Sequence, residues 1–461
     1  MNNPTPLRST FLGHIGIASA NITPPIGIFA RNWGAAASDV AIGIHRALTA
    51  TTLTLQTAPD TAPLVLVALD LGWWRTAADE WELRGAVLGA LQLDESRLII
   101  ALSHTHAGPG LCREDRALPG GELVGPYLDS VRDAVLETAR TALSRAQRGA
   151  LEWHYGRCDL AANRDLRDEG KPRFVCGFNP DGEADDTLLI GRVVNGQGKS
   201  LATIVNYACH PTTLAWDNLL ISPDYIGAMR EVIEANTGGL CLFLNGASGE
   251  LAPPEQYSGD TALADRHGRR LGFAVLSTLH TMTPPHTALH FAGIVESGAP
   301  LAVWKAELVT VDRAATRLEA IQATVELPLK EMAPAADIAR EMEACEDRVM
   351  GERLRRRWRV RRSVGDGTSS SEKLWGWRIG EALIFAQRNE AYSNLQRQLR
   401  TDHSGRAIAV LNLANGAVGY LPPAPFYDED IYPVWQSPYE RGGLEILQKR
   451  VDEMVGELLV G

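Results

Sequence analysis

Two histidines stand two residues apart in Ser103-His104-Thr105-His106-Ala107-Gly108-Pro109-Gly110. The segment follows an apolar run, and on an extended backbone such residues project to the same side. That arrangement suits metal capture; its alternative is a pair of histidines satisfied by hydrogen bonds at a strand end. The glycines and proline that follow force a turn, where backbone can come close to a ligand. A third histidine, His210, sits in Asn206-Tyr207-Ala208-Cys209-His210-Pro211-Thr212-Thr213, again an apolar run entering a proline turn. Imidazole is the commonest metal ligand, so a third histidine in this context points toward zinc. A further stretch, Phe243-Leu244-Asn245-Gly246-Ala247-Ser248-Gly249-Glu250-Leu251-Ala252-Pro253-Pro254, opens into small residues. Its backbone N–H groups could face developing negative charge, or the loop could simply precede a helix. Ser248 lies outside any Gly-x-Ser-x-Gly elbow and is not read as a nucleophile.

These segments need elements to hold them. The first 300 residues alternate short apolar runs with amphipathic stretches, as a sheet flanked by helices requires. Strands are expected over 63–71, 97–102, 201–207 and 240–244, and helices over 79–91, 127–147, 225–235 and 260–279. A highly charged helical insertion is expected at about 334–363, followed by a mobile Gly/Ser-rich loop at about 364–372. A strand over 374–386, a helix over 391–399 and a strand over 407–413 then complete one domain spanning 1–461.

Composition narrows the function classes. The 461 residues carry a net charge of −11, with 45 basic against 56 acidic side chains, so a nucleic-acid-binding surface is not expected. The basic run at 353–362 is read as a solvated helix face. Six scattered cysteines suggest reduced, mostly buried thiols. The N-terminus lacks a leader pattern and no run approaches the ~20 apolar residues of a membrane span, so a cytoplasmic location is expected. Trp33, Trp73, Trp74, Trp216 and Trp435 lie near the motifs as candidate cleft walls, although core burial is the commoner role of tryptophan.

Taken in order, the three segments resemble the neutral, non-lysosomal ceramidase family. Ile22-Thr23-Pro24-Pro25-Ile26-Gly27, Gly43-Ile44-His45, Ala68-Leu69-Asp70-Leu71-Gly72 and Asn163-Arg164 fall where that family has its own signatures. The resemblance implies an α/β fold: a large mixed-sheet catalytic domain with flanking helices, without the family's C-terminal β-sandwich domain. It implies a Zn2+ ion held by His104, His210, Glu390 and Tyr420. His106 and Tyr432 would then serve proton transfer and oxyanion stabilisation, Arg164 would orient substrate, and Glu250, at the family's Gly-Asp position, joins the catalytic set. This chain departs from the family at Asn389 for a glycine, Ala417 for a tyrosine and Ala252 for a serine. The function implied is zinc-dependent hydrolysis of an amide in a small or amphiphilic N-acyl substrate. An esterase or lactonase on the same site, or a non-catalytic binding protein on the same scaffold, are the alternatives, and a second copy of the chain is kept as a candidate partner.

Overall fold

The computed structural model describes residues 10–309 and 313–460. Its larger sheet has eight strands: β1 (Thr10–Asn21), β2 (Thr49–Gln56), β3 (Leu64–Leu69), β4 (Leu98–Leu102), β5 (Gln147–Arg157), β6 (Thr187–Asn195), β7 (Ser200–Tyr207) and β8 (Leu240–Asn245). The order is β8-β7-β6-β5-β1-β2-β3-β4. The interior pairs are antiparallel, while β7–β8 and β3–β4 at the two edges are parallel. A four-stranded sheet follows, β9 (Leu318–Pro328), β10 (Ser369–Ile379), β11 (Ala382–Gln387) and β12 (Ile408–Leu411), with β11 and β12 parallel.

Side-chain alternation explains the layers. Along β3, Leu64, Leu66 and Ala68 join an inner core with Trp375, Trp377 and Ile384 of the smaller sheet. Val65, Val67 and Leu69 point the other way, against α1 (Ala77–Leu91) and α2 (Val124–Ser144). Both faces of the strand are dry, which is why it reads as a continuous apolar run. At the far edge, α3 (Tyr225–Thr237) and α4 (Thr261–Thr281) cover β6 to β8. The outer face of the smaller sheet is covered by α7 (Asn394–Asp402) and α8 (Gly443–Val460). The result is a helix–sheet–sheet–helix stack whose central core draws on all three thirds of the chain. A hairpin, Thr287–Glu296 with Pro300–Leu308, stands apart; Leu289, Phe291, Ile294 and Trp304 on it are each more than half exposed.

The expected charged helix is two helices, α5 (Ala335–Glu343) and α6 (Arg348–Val364). Asp347 restarts the second by accepting a hydrogen bond from the Met350 backbone N–H at 2.7 Å, a strong N-cap. The Gly/Ser loop is shorter than expected, because Ser369 onward is already strand, paired with β9 from Pro328 backwards. The single strand expected over 374–386 is a hairpin that turns at Gly380, whose φ of +62° favours glycine. All six cysteines are unpaired, four of them buried. No helix among the described residues is long and apolar enough to cross a membrane.

Candidate metal centre and cleft

The histidine motif leaves β4 beside two backbone anchors: Ser103 N–H donates to Leu69 O at 2.8 Å and His104 N–H to Leu71 O at 2.9 Å. His104 itself has φ +70°, so the extended geometry expected for the His104/His106 pair is wrong. The left-handed conformation costs a non-glycine residue about 1–2 kcal/mol and persists because flanking contacts hold it. Thr105 Oγ1 donates to Ser222 O at 2.7 Å, and Asn32 Nδ2 donates to Gly108 O at 2.8 Å, closing the turn. Both rings still converge, with centroids 4.8 Å apart.

His210 follows β7, its backbone N–H bonded to Leu251 O at 2.8 Å. Its Nδ1 lies 2.7 Å from Ser248 O. A carbonyl oxygen only accepts, so Nδ1 carries the proton and Nε2 presents a lone pair. His104 Nδ1 faces Gly72 O in the same way, at a longer 3.4 Å. Glu390 follows β11 in a two-residue strand parallel to Tyr420–Leu421, its N–H bonded to Gly419 O at 2.9 Å. The loop carrying Tyr420 is clipped to β4 by Asn415, which accepts from Ile100 N–H at 2.8 Å and donates to Leu98 O at 2.9 Å.

Four distant segments therefore meet. Glu390 Oε2 lies 3.1 Å from His104 Nε2 and 3.0 Å from His210 Nε2, and Tyr420 Oη lies 3.4 Å from His210 Nε2. Two donor atoms each about 2.0–2.1 Å from a tetrahedral ion sit about 3.3 Å apart, so these spacings match a shared ion. Protonation agrees. Burial and the neighbouring Arg164 push the His210 imidazolium down to about 3, leaving the ring neutral at pH 7. At Glu390 burial opposes the charge, but His104 and His210 outweigh it and hold the carboxyl well below its usual range. Two imidazole Nε2 atoms and a carboxylate oxygen thus converge on one buried point, where a divalent cation would satisfy all three. The residues present fit a divalent metal.

His106 completes a cluster in which one ring nitrogen each from His104, His106 and His210 lie within 4.8 Å of one another. Both of its nitrogens are buried without a hydrogen-bond partner. Burial, then His104 and His210, hold its imidazolium well below the ordinary value. Trp33 and Trp73 pack on it, each 4.9 Å away between ring centroids.

A cleft of about 240 Å³ opens over the cluster, and Glu390 and Tyr432 line it. The Tyr432 ring lies 5.7 Å from that of Tyr420, and its hydroxyl accepts from Arg356 Nη1 at 3.0 Å. Trp33, Trp73 and Trp74 form walls, whereas Trp216 packs behind Trp33 and Trp435 is exposed outside the lining.

No protein-family model matches the chain. Over 225 residues, 46% of the chain, it is 26% identical to the neutral ceramidase of Pseudomonas aeruginosa, a match spanning about a third (32%) of that protein's length. The crystal structure of neutral ceramidase from Pseudomonas aeruginosa superposes with a TM-score of 0.66 at 17% identity, covering 95% of this chain and 73% of that one. A ceramidase complexed with C2 superposes with a TM-score of 0.65 at 16% identity over the same shares. The chain has a neutral-ceramidase-like fold.

Within this ceramidase-like scaffold, two expected site residues do not face the cleft. Glu250 is buried, and its carboxylate accepts from the Ser393 backbone N–H at 2.9 and 3.0 Å and from the Ser393 hydroxyl. Burial pushes its carboxyl up to about 7. Arg164 is also buried and touches no open space; its Nη2 donates to Gly249 O at 2.7 Å and to Tyr420 Oη at 3.0 Å. Its guanidinium holds the Tyr420 hydroxyl. Ala252, where the family carries a serine, is buried and paired with Ala162, away from the cleft lining. Ala417, where the family carries a tyrosine, lines the cleft and leaves it wider.

Sequence reasoning missed that α6 lines the cleft. Glu352, Arg355, Arg356, Arg359, Val360 and Ser363 all line the cleft, at the spacing of one helix face. The run is solvated at Arg353, Arg356, Arg357 and Arg362, and Arg356 reaches the cleft while remaining exposed. The signal was present in the 3.6-residue spacing of the cleft-lining arginines, with a single acidic residue among them.

Proposed function

We propose that the protein is a zinc-dependent amidohydrolase acting on N-acyl substrates in this cleft. One observation carries the reading: two imidazole Nε2 atoms and one carboxylate oxygen, from three distant segments, converge at 3.0–3.1 Å. His104, His210, Glu390 and Tyr420 are the residues that would hold the ion. When bound, zinc supplies Lewis acidity, polarising a carbonyl oxygen and lowering the pKa of a water to about 7. Resemblance to neutral ceramidases supports an amide as the bond cleaved.

The chain's own groups divide the remaining work. Ser248 O and Gly72 O hold the tautomers of His210 and His104, so that Nε2 of each stays unprotonated. Arg164 fixes the Tyr420 hydroxyl. Tyr432 already accepts a hydrogen bond from Arg356, which leaves its own proton free to donate to a substrate carbonyl oxygen as negative charge builds there. His106, neutral and unpartnered, takes up a proton and passes it to the departing amine nitrogen, which cannot leave as an anion. The tryptophan walls keep bulk water from competing. The test is hydrolysis of a panel of N-acyl compounds of graded chain length, with elemental analysis of the same sample. Chelator-sensitive amide cleavage at one zinc per chain supports the reading; a metal-free protein inert toward every amide and ester excludes it.

A further inference from the structure

The cleft is basic although the chain is acidic. Five arginines line it against two glutamates, one of them Glu390 in the metal cluster. Three of those arginines are neutralised from behind. Arg31 pairs with Glu352 at 2.6 Å and with Asp39 at 3.3 Å. Arg75 pairs with Asp115 at 3.0 Å, and Arg359 bonds the other oxygen of the same carboxylate. The remaining two make no direct ion pair among the described residues; Glu352 acts on both, and Glu390 on Arg356, only at longer range. Arg356 spends one N–H on the neutral Tyr432 hydroxyl, and Arg355 has no hydrogen bond or ion pair among the described residues.

Both project from α6 into the space over the cluster, one residue apart, with Tyr432 between Arg356 and Tyr420. Arg356 is exposed and Arg355 half-buried, so both guanidinia are open to an incoming oxyanion, which can take a two-point grip that single waters cannot. The chain's net charge of −11 repels anions at long range, but screening limits that repulsion to about 8 Å at physiological salt, so local charge decides what enters. At about 240 Å³ the cleft also falls below the 300–1,000 Å³ common for drug-sized ligands, which favours a compact polar head.

We propose that the cleft selects amides bearing an anionic oxygen group, a carboxylate or sulfonate, gripped by Arg355 and Arg356 while the scissile carbonyl faces His104, His210, Glu390 and Tyr432. This rests on the amidohydrolase reading and narrows it to N-acyl amino acids and their sulfonate analogues. A neutral two-chain lipid leaves both arginines unanswered.

The experiment pairs binding with turnover. Calorimetry compares 4-oxononanoate, the uncleavable ketone counterpart of N-hexanoylglycine, with its uncharged carboxamide on the purified holoprotein and on Arg355→Gln. Initial rates compare N-hexanoylglycine, N-hexanoyltaurine and N-hexanoylglycinamide on the same samples. The expected result is at least tenfold tighter binding and higher kcat/KM for the charged member of each pair. Arg355→Gln should erase most of that preference by weakening binding and turnover of the charged members, and melt with the parent. Faster cleavage of the taurine compound supports the anion site and assigns it to tetrahedral groups. Equal affinity of the parent protein for 4-oxononanoate and its carboxamide overturns the proposal, as does an Arg355→Gln variant that weakens both alike. Charge-selective binding without cleavage of any amide sinks the amidohydrolase reading and leaves the anion site standing.

Discussion

Glu390→Gln should stabilise the metal-free protein while abolishing its response to zinc. In the parent, Glu390 Oε2 faces His104 Nε2 at 3.1 Å and His210 Nε2 at 3.0 Å; in the tautomers that Ser248 O and Gly72 O select, all three atoms are acceptors. A glutamine can turn its NH2 toward both rings and give each a proton. Two new hydrogen bonds at about 1 kcal/mol each yield about 2 kcal/mol. At about 2.1 cal/mol/K per residue, a 461-residue chain has an unfolding entropy near 1 kcal/mol/K, so the melting temperature should rise by about 2 °C. Zinc acts in the opposite order. Free metal at 100 to 1,000 times its Kd stabilises the parent by about 3–4 kcal/mol, or about 3–4 °C, whereas the variant, lacking the carboxylate, should move by less than about 1 °C. Differential scanning calorimetry with chelator and with zinc shows whether the ranking inverts. A variant that melts below the chelated parent and still gains as much from zinc would refute the picture of three unprotonated acceptors sharing an ion.

His106→Ala should lower amide hydrolysis by about 100- to 10,000-fold while sparing activated esters, whose leaving groups need no proton; paired amide and ester assays on one sample check this, and equal losses on both would remove His106 from leaving-group protonation. Arg164→Met should reduce metal affinity or kcat by about 10- to 100-fold by releasing Tyr420, measured by zinc titration against a chromogenic chelator. Glu250 gives a pH signature. Its folded-state carboxyl is raised to about 7 by burial, above the unfolded 4.5, so its contribution is complete below about pH 4.5 and is lost as pH climbs through 7. Glu250→Gln should therefore flatten the decline, by roughly 3 kcal/mol at pH 8, in urea melts at pH 5 and pH 8; an unchanged slope would place the raised group elsewhere.

Much of the scaffold was legible because burial on both faces writes long apolar runs. Leu64–Leu69, Ser200–Tyr207 and Leu240–Asn245 fall within a residue or two of their expected bounds for that reason. The hairpin at Gly380 was hidden because both arms are equally apolar and only one glycine marks the bend. The convergence of His104, His210, Glu390 and Tyr420 followed from family resemblance; spacing alone could not join segments nearly 300 residues apart. The left-handed backbone at His104 was unreadable, since it is imposed by tertiary contacts through Ser103 and Thr105. Arg164 and Glu250 carried motif signals but are consumed by Tyr420 and Ser393, partners that only folding supplies. The arginines of α6 were misjudged because a charge run is normally solvated, whereas here one face of the helix roofs the cleft.

The central claim is that β4, β7, β11 and the Tyr420 loop deliver ligands to a single divalent ion. Anomalous diffraction at the zinc edge on crystals of the gently purified protein tests it most directly. The account predicts one peak per chain within about 2.3 Å of His104 Nε2, His210 Nε2 and a Glu390 carboxylate oxygen. A metal-soaked crystal with those three side chains in place and no peak between them would contradict it.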